Sequence, residues 1–270
     1  PKIVYACVRG FGDPRTGDSP YAHWPSLDAA AQSFGGLVHA NDGLVTPAIA
    51  DIFPGTLMAL GVVSAMHSAQ RSGKGQFLDV GMYDAMMAFQ KSAVAQYGFT
   101  GKPNPAGLQR AMTLYPFDLF PTQDGRIAIA VGQPRHWDLL CAAMERADLM
   151  EDERSFSNEA RLANVDWVEA QICAWTQTQT RAEIMAKLDG AIPIGPVQTM
   201  ADIYADPHVQ ARGMLETCSP AGDNPDIALA ASPIKFSVTP TTLYQRPPTL
   251  GEHNAEVLAE FGIEPPQRNG

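Results

Sequence analysis

The chain has 270 residues, room for one large or two medium domains and a sizeable core. Hydrophobic residues are 45% of it and charged residues 18%, and 29 acidic against 19 basic side chains leave a formal charge of −10. With no basic run, that balance argues against nucleic acid as a partner, and a phosphorylated ligand would need a local basic patch.

Cys7, Cys141, Cys173 and Cys218 are far apart and form no CxxC pair. They read as reduced core thiols and not as a zinc site, which fits a cytoplasmic location. Apolar stretches are broken by Asp, Pro, Gly or His before membrane-spanning length, and no signal peptide is seen. The opening "KIVYACV" reads instead as a strand already under way, with an expected segment ahead of it.

In chain order, residues 2–8 are β-branched and aromatic, a strand by composition, followed by the Gly/Pro/Asp loop "RGFGDPRTGDSP". Residues 27–38 are small and helical, ending at a Gly pair. Ile52 to Gln70 reads as a long helix, apolar nearly all round and therefore buried, with Asp51 as its N-cap. "RSGKGQ" is a turn, "FLDVGM" a strand and "YDAMMAFQKSAVAQYGF" a helix, so the first hundred residues make an α/β unit. "TGKPNPAG" is a linker. "FPTQDGRIAIAVG" is a hairpin arm, and amphipathic helices follow between His136 and Asp189. There Trp137, Leu140, Trp167, Trp175 and Leu188 mark core faces. "IPIGPVQT" is a short strand, "MADIYADPHVQARGML" two helices split at a proline, and "SPIKFSVTP" a strand. A last helix has Asn254 as its cap candidate and closes at Gly262.

Three stretches could carry chemistry. Asp51 interrupts the apolar run "AIADIFPGTLMALGVV". A cap explains it without catalysis, whereas a nucleophile would attack an activated carbonyl and form a covalent intermediate. In "RGFG", two glycines at a strand end allow close approach of a ligand, Arg9 could meet a phosphate and Phe11 could stack on a ring. A plain turn with a surface Arg explains the same letters. "RSGKGQ" lacks the spacing of a P-loop, and there is no GxSxG elbow and no HxxxH pair.

The order of "KIVYACVRGFG", "AIADIFPGTLMALG", "SGKGQFLDVGMYDAM", "FPTQDGRIAIAVG", "IPIGPVQTMADIYADPHVQARGM", "SPIKFSVTP" and "PPTLGEHNAEVL" resembles the class III CoA-transferases, the CaiB/BaiF family, from residue 1 to about residue 262. The resemblance implies an α/β fold: a Rossmann-like large domain, incomplete here, with a smaller α+β domain. It implies a large domain at 1–99, a linker at 100–111, a small domain at 112–205 and a return segment at 206–270, in an interlocked homodimer. It implies transfer of CoA from an acyl-CoA to a carboxylic acid through an aspartyl-CoA thioester on Asp51. It also places Arg9, Gly10, Phe11, Gly12 and Met82 along the CoA, with no metal. An isomerase or racemase of the same family and a non-catalytic subunit are the alternatives it leaves open. The segment that such chains carry before the position of Pro1 is expected to supply much of the CoA-binding half.

Overall fold

A computed structural model describes residues 1–107, 113–220, 225–241 and 246–263. Part of the expected 100–111 linker and the last seven residues lie outside that description. The chain forms two compact units, Pro1–Gly195 and Pro196–Gly270.

The first unit opens with β1 (Val4–Arg9), followed by α1 (Asp28–Phe34), α2 (Leu37–Asn41), the long α3 (Ile49–Ser72), β2 (Gln76–Gly81), α4 (Met82–Phe89) and α5 (Lys91–Thr100). β1 and β2 are parallel, in a register that sets Val4 opposite Gln76 and Arg9 opposite Gly81. A parallel pair needs a crossover, and α3 packs on both strands as well as on α1 and α4. Arg9 and Gly81 therefore lie at the same, carboxyl end of the pair, where α/β folds place their ligands.

Three expectations about α3 are corrected. The helix begins at Ile49, with Ala48 as its N-cap, so Asp51 is the third helical residue and does not cap. Its burial is one-sided. Ala50, Pro54, Met58, Ala65 and Ala69 are buried, spaced by four or seven residues, whereas Ile52, Leu60, Val63 and Met66 are at least half exposed. An apolar composition all round did not translate into burial because only one stripe meets the strands and helices of this unit. At 24 residues α3 is also long and apolar enough, by length and composition, to cross a bilayer, contrary to the expectation of broken stretches. The aspartate, proline, glycines and histidine that interrupt the run leave its mean hydropathy high. Its buried stripe is nonetheless committed to packing on β1 and β2.

The same unit continues with the antiparallel hairpin β3 (Phe117–Thr122) and β4 (Gly125–Ala130), then α6 (Pro134–Ala143), a 3₁₀ turn at Ala147–Met150, α7 (Asn158–Ala163), α8 (Val165–Thr176), α9 (Arg181–Leu188) and β5 (Ile194–Pro196). The strand order is β3-β4-β5. Trp137, Leu140 and Leu188 lie in its core with Phe120, Ile127, Ile129, Ile172 and Ile184, and Trp167 and Trp175 pack on the edge, as their spacing predicts. Arg161 is 3% exposed. It donates from Nε to the Tyr115 carbonyl at 2.6 Å and from Nη1 to the Ser155 carbonyl at 2.8 Å, with its guanidinium over the Trp137 ring. Thr180 and Glu183 form a capping box that starts α9.

The second unit holds α10 (Met200–Ala205), α11 (Pro207–Ala211), the antiparallel pair β6 (Leu215–Cys218) and β7 (Ile227–Ala230), and α12 (Asn254–Glu260). The split at Pro207 is as expected: Asp206 accepts from the His208 N–H and Pro207 occupies the first helical position. "SPIKFSVTP" is not a strand; β7 lies just before it. The serine-proline start removes a ladder donor, and the β-branched letters that suggested a strand remain exposed in an irregular segment. Asn254 is the first helical residue and His253 the cap, while Gly262 has φ 66°, consistent with closing α12. Arg246 reaches Glu252 at 2.6 Å and, with the Thr249 N–H, brings its pKa down to about 2.

The fully buried Leu140 gives a direct test of the core. Leu140→Ala should cost about 2–5 kcal/mol in urea unfolding, whereas Thr180→Ala, which removes only the α9 cap, should cost about 1 kcal/mol.

Candidate active site

The carboxyl end of the β1–β2 pair carries the loop of residues 10–27. Gly10 passes so close to Ser26 that a Cβ there would collide with it, and Gly12 has φ 80°, so the "RGFG" glycines have a backbone reason to be glycine. The Gly10 carbonyl accepts from the Tyr83 N–H at 3.0 Å, tying the loop to the first turn of α4.

The loop turns on Asp13, which is 3% exposed. Its carboxylate accepts from the Arg15 side chain at 2.8 and 2.9 Å and from the Arg15 N–H at 3.0 Å, and Arg9 approaches it at 3.2 Å. Those contacts, Arg15 first, hold Asp13 well below the usual carboxylate range. The Asp13 N–H donates to Asp79 on β2 at 2.7 Å, and the Thr16 hydroxyl lies 2.8 Å from the same oxygen. Burial, then the neighbouring Asp79, raises the pKa of Cys7, whose Sγ is 3.7 Å from the other oxygen.

Phe11 is buried, with its ring 4.9 Å from Phe34, 5.4 Å from Tyr21 and 6.4 Å from Tyr83. It lines, with Gly12, Tyr21, Tyr83, Asp18, Asp79 and Asp84, a cleft of about 450 Å³. Arg9 is half exposed and turned to Asp13. Met82 is buried in a small core with Ala31, Ala50 and Met86, against which Ile49 and Phe53 pack. It therefore shares a core with the first turn of α3.

Asp51 stands in that turn. It is exposed, and its carboxylate makes no hydrogen bond or ion pair among the described residues. The work of a cap is done by another helix: Asp28 of α1 accepts from the Ala50 N–H at 2.9 Å. Asp28, Gln32 and Asp79 are the residues that sequence reasoning missed. The Asp-x-x-x-Gln spacing that puts Asp28 and Gln32 on one helix face was legible, but their partners at residues 45 and 50 are not local.

The family model of CoA-transferase family III matches residues 1–254. The chain belongs to that family. It is 38% identical over 269 residues to the succinyl-CoA:mesaconate CoA-transferase of Haloarcula hispanica, covering 97% of this chain and 67% of that protein. It is 34% identical over 270 residues to the succinate–glutarate CoA-transferase of Agrobacterium fabrum, covering 97% and 66%. The crystal structure of a CaiB/BaiF family protein from Brucella suis matches with a TM-score of 0.78 at 30% identity, over 96% of this chain and 68% of that one. The chain thus spans about two thirds of the length of these relatives. Family membership makes it a transferase-class enzyme, and the mixed α/β fold agrees with the expectation from its motifs.

The Asp13 pairing generates a pH signature. An unfolded Asp titrates at about 3.9, and the folded group titrates lower, so the stabilisation is complete above the unfolded value and is lost as pH falls toward the folded one. Asp13→Asn should lower the urea midpoint at neutral pH, with the gap from wild type narrowing below about pH 4. A gap unchanged by pH would contradict the pairing.

Proposed function

We propose that this chain transfers CoA from an acyl-CoA to a carboxylic acid with Asp51 as the nucleophile. The observation that carries the reading is the exposed, unpaired carboxylate in the first turn of α3, in a chain of this family. An aspartate free of capping duty is available to react, and the positive end of a helix favours the charge it carries as a leaving group.

The steps balance without any net proton. An Asp51 oxygen attacks the acyl carbonyl of the donor and expels CoA thiolate, leaving a mixed anhydride. The thiolate attacks the Asp51 carbonyl and releases the donor acid, leaving an aspartyl-CoA thioester. The acceptor carboxylate attacks that thioester and again expels the thiolate. The thiolate then takes the acceptor's acyl group, and Asp51 returns as a carboxylate. Arg9, Gly10, Phe11, Gly12 and Met82 line the path of CoA in this proposal. Arg9 would exchange its contact with Asp13 for a phosphate, the glycines admit the chain closely, and Met82 backs the Asp51 turn.

The acids are proposed to be short dicarboxylates. The names of the relatives support this: succinate or succinyl-CoA and mesaconate recur among them, and glutarate and oxalate each appear once. Succinyl-CoA is the donor of choice. The domain division at 1–99, 112–205 and 206–270, association as a homodimer and a cytoplasmic location belong to the same proposal. The bared apolar residues of α3, with Val94, Tyr97 and Phe99 on α5, are a surface such an association would cover.

The test is exchange of CoA from succinyl-CoA to mesaconate, glutarate and oxalate, wild type beside Asp51→Ala. Wild type should transfer to at least one acid, and Asp51→Ala should lose about 10³-fold or more of that rate. Exchange that survives in Asp51→Ala would sink the nucleophile assignment.

A further inference from the structure

We infer that Gln32, acting through Asp28, is a positioning residue that fixes the first turn of α3 and so sets the direction of the Asp51 carboxylate. This inference rests on the reading of Asp51 as the nucleophile.

Gln32 is fully buried in the middle of α1. Its Nε2 donates to Asp28 Oδ2 at 2.7 Å and to the Val45 carbonyl at 2.9 Å, while its Oε1 accepts from the Val45 N–H at 2.9 Å. Both amide protons and the amide oxygen are thereby used. The other Asp28 oxygen accepts from the Ala50 N–H at 2.9 Å. One side chain therefore clamps the backbone at residue 45 from both its donor and its acceptor, and through its neighbour holds the backbone at residue 50. The clamped points bracket the segment that leads into Asp51.

Within α3 the Ala48 carbonyl accepts from the Asp51 and Ile52 N–H groups, but no side chain of the helix caps the Ala50 N–H. Ala48, at the N-cap, has no side chain able to accept a bond, and Pro54 has no N–H to return to the carbonyl of Ala50. The early turn of a helix whose cap comes from elsewhere moves with whatever holds that cap. Gln32 touches no reacting atom, so it is a positioning residue. Its amide is suited to the task because it offers a donor and an acceptor at once, which neither a carboxylate nor an apolar side chain of the same length can do. A buried glutamine with every group satisfied also locks its own rotamer and those of its partners.

The experiment uses the full chain with succinyl-CoA. Intact mass after rapid quenching gives the single-turnover rate of the CoA adduct, and steady-state exchange gives kcat and KM, for wild type, Gln32→Leu, Asp28→Ala and Asp51→Ala. Gln32→Leu should form the adduct on the order of 10- to 100-fold more slowly, with kcat falling and KM nearly unchanged, because misplacing a reacting group costs rate and not donor binding. An adduct formed at the wild-type rate, or a smaller folded fraction with unchanged kcat per folded molecule, would overturn the positioning role. Should Gln32→Leu not fold, Asp28→Ala at its half-buried site decides on the same criteria. An adduct that persists in Asp51→Ala would overturn the nucleophile reading itself, a result distinct from failure of the positioning role alone.

Discussion

The first turn of α3 is held by a carboxylate from a different helix, and the exposure of the Asp51 side chain follows from that bond. A helix start leaves backbone N–H groups without partners. Here Ala48 offers nothing, and Asp28 supplies the acceptor for Ala50. Had Asp51 been the cap, its oxygens would be engaged with backbone. With the duty moved to α1, the Asp51 side chain is left exposed at the positive end of a 24-residue helix. The core beneath that turn is small: Ala31, Ala50, Met82 and Met86. Alanines let α1 and α4 come close to α3, and the flexible methionines fill what remains.

The second constraint is electrostatic. The chain carries a charge of −10, yet a CoA ligand is itself anionic. The cleft beside Phe11 is itself lined by Asp18, Asp79 and Asp84, so the cations near it are the two arginines of the loop after β1. Arg9 and Arg15 both converge on the buried Asp13, and Asp79 ties the same loop to β2. The pairing keeps two guanidinium groups ordered at the carboxyl end of the strands. Arg15 is further pinned across the faces of Phe77 and Tyr5. Arg9, held by one ion pair at 3.2 Å among the described residues, is the one better placed to turn outward. The aromatic group of Phe11, Tyr21, Phe34 and Tyr83 then stiffens the wall of the cleft without adding charge.

Local signals in the sequence carried most of the secondary structure. The strand of β1, the Gly pair after α1, the hairpin around "QDG", the proline between α10 and α11 and the core tryptophans were all legible, because each depends on residues close in sequence. The start of α3 was not. Asp51 looks like a cap in "AIAD", and nothing local reveals that Asp28 already occupies that role from 22 residues away. The burial of α3 is not legible for a related reason: composition states how apolar a helix is but not how many of its faces find a partner. "SPIKFSVTP" failed because β propensity requires a neighbouring strand to pair with. The proposed role of Asp51 as the reacting group rests on motif order and not on local physics, since the sequence alone does not separate cap from nucleophile.

The central proposal is that Asp51 is the covalent site. The most direct measurement is a crystal structure of the full chain trapped with succinyl-CoA in the absence of an acceptor. The account predicts continuous density from the Asp51 carboxyl carbon to the CoA sulfur, with the Asp28–Ala50 bond intact and the CoA chain running past Phe11 and Gly12. A CoA attached at another residue, or bound whole with Asp51 facing away from its thioester, would contradict it.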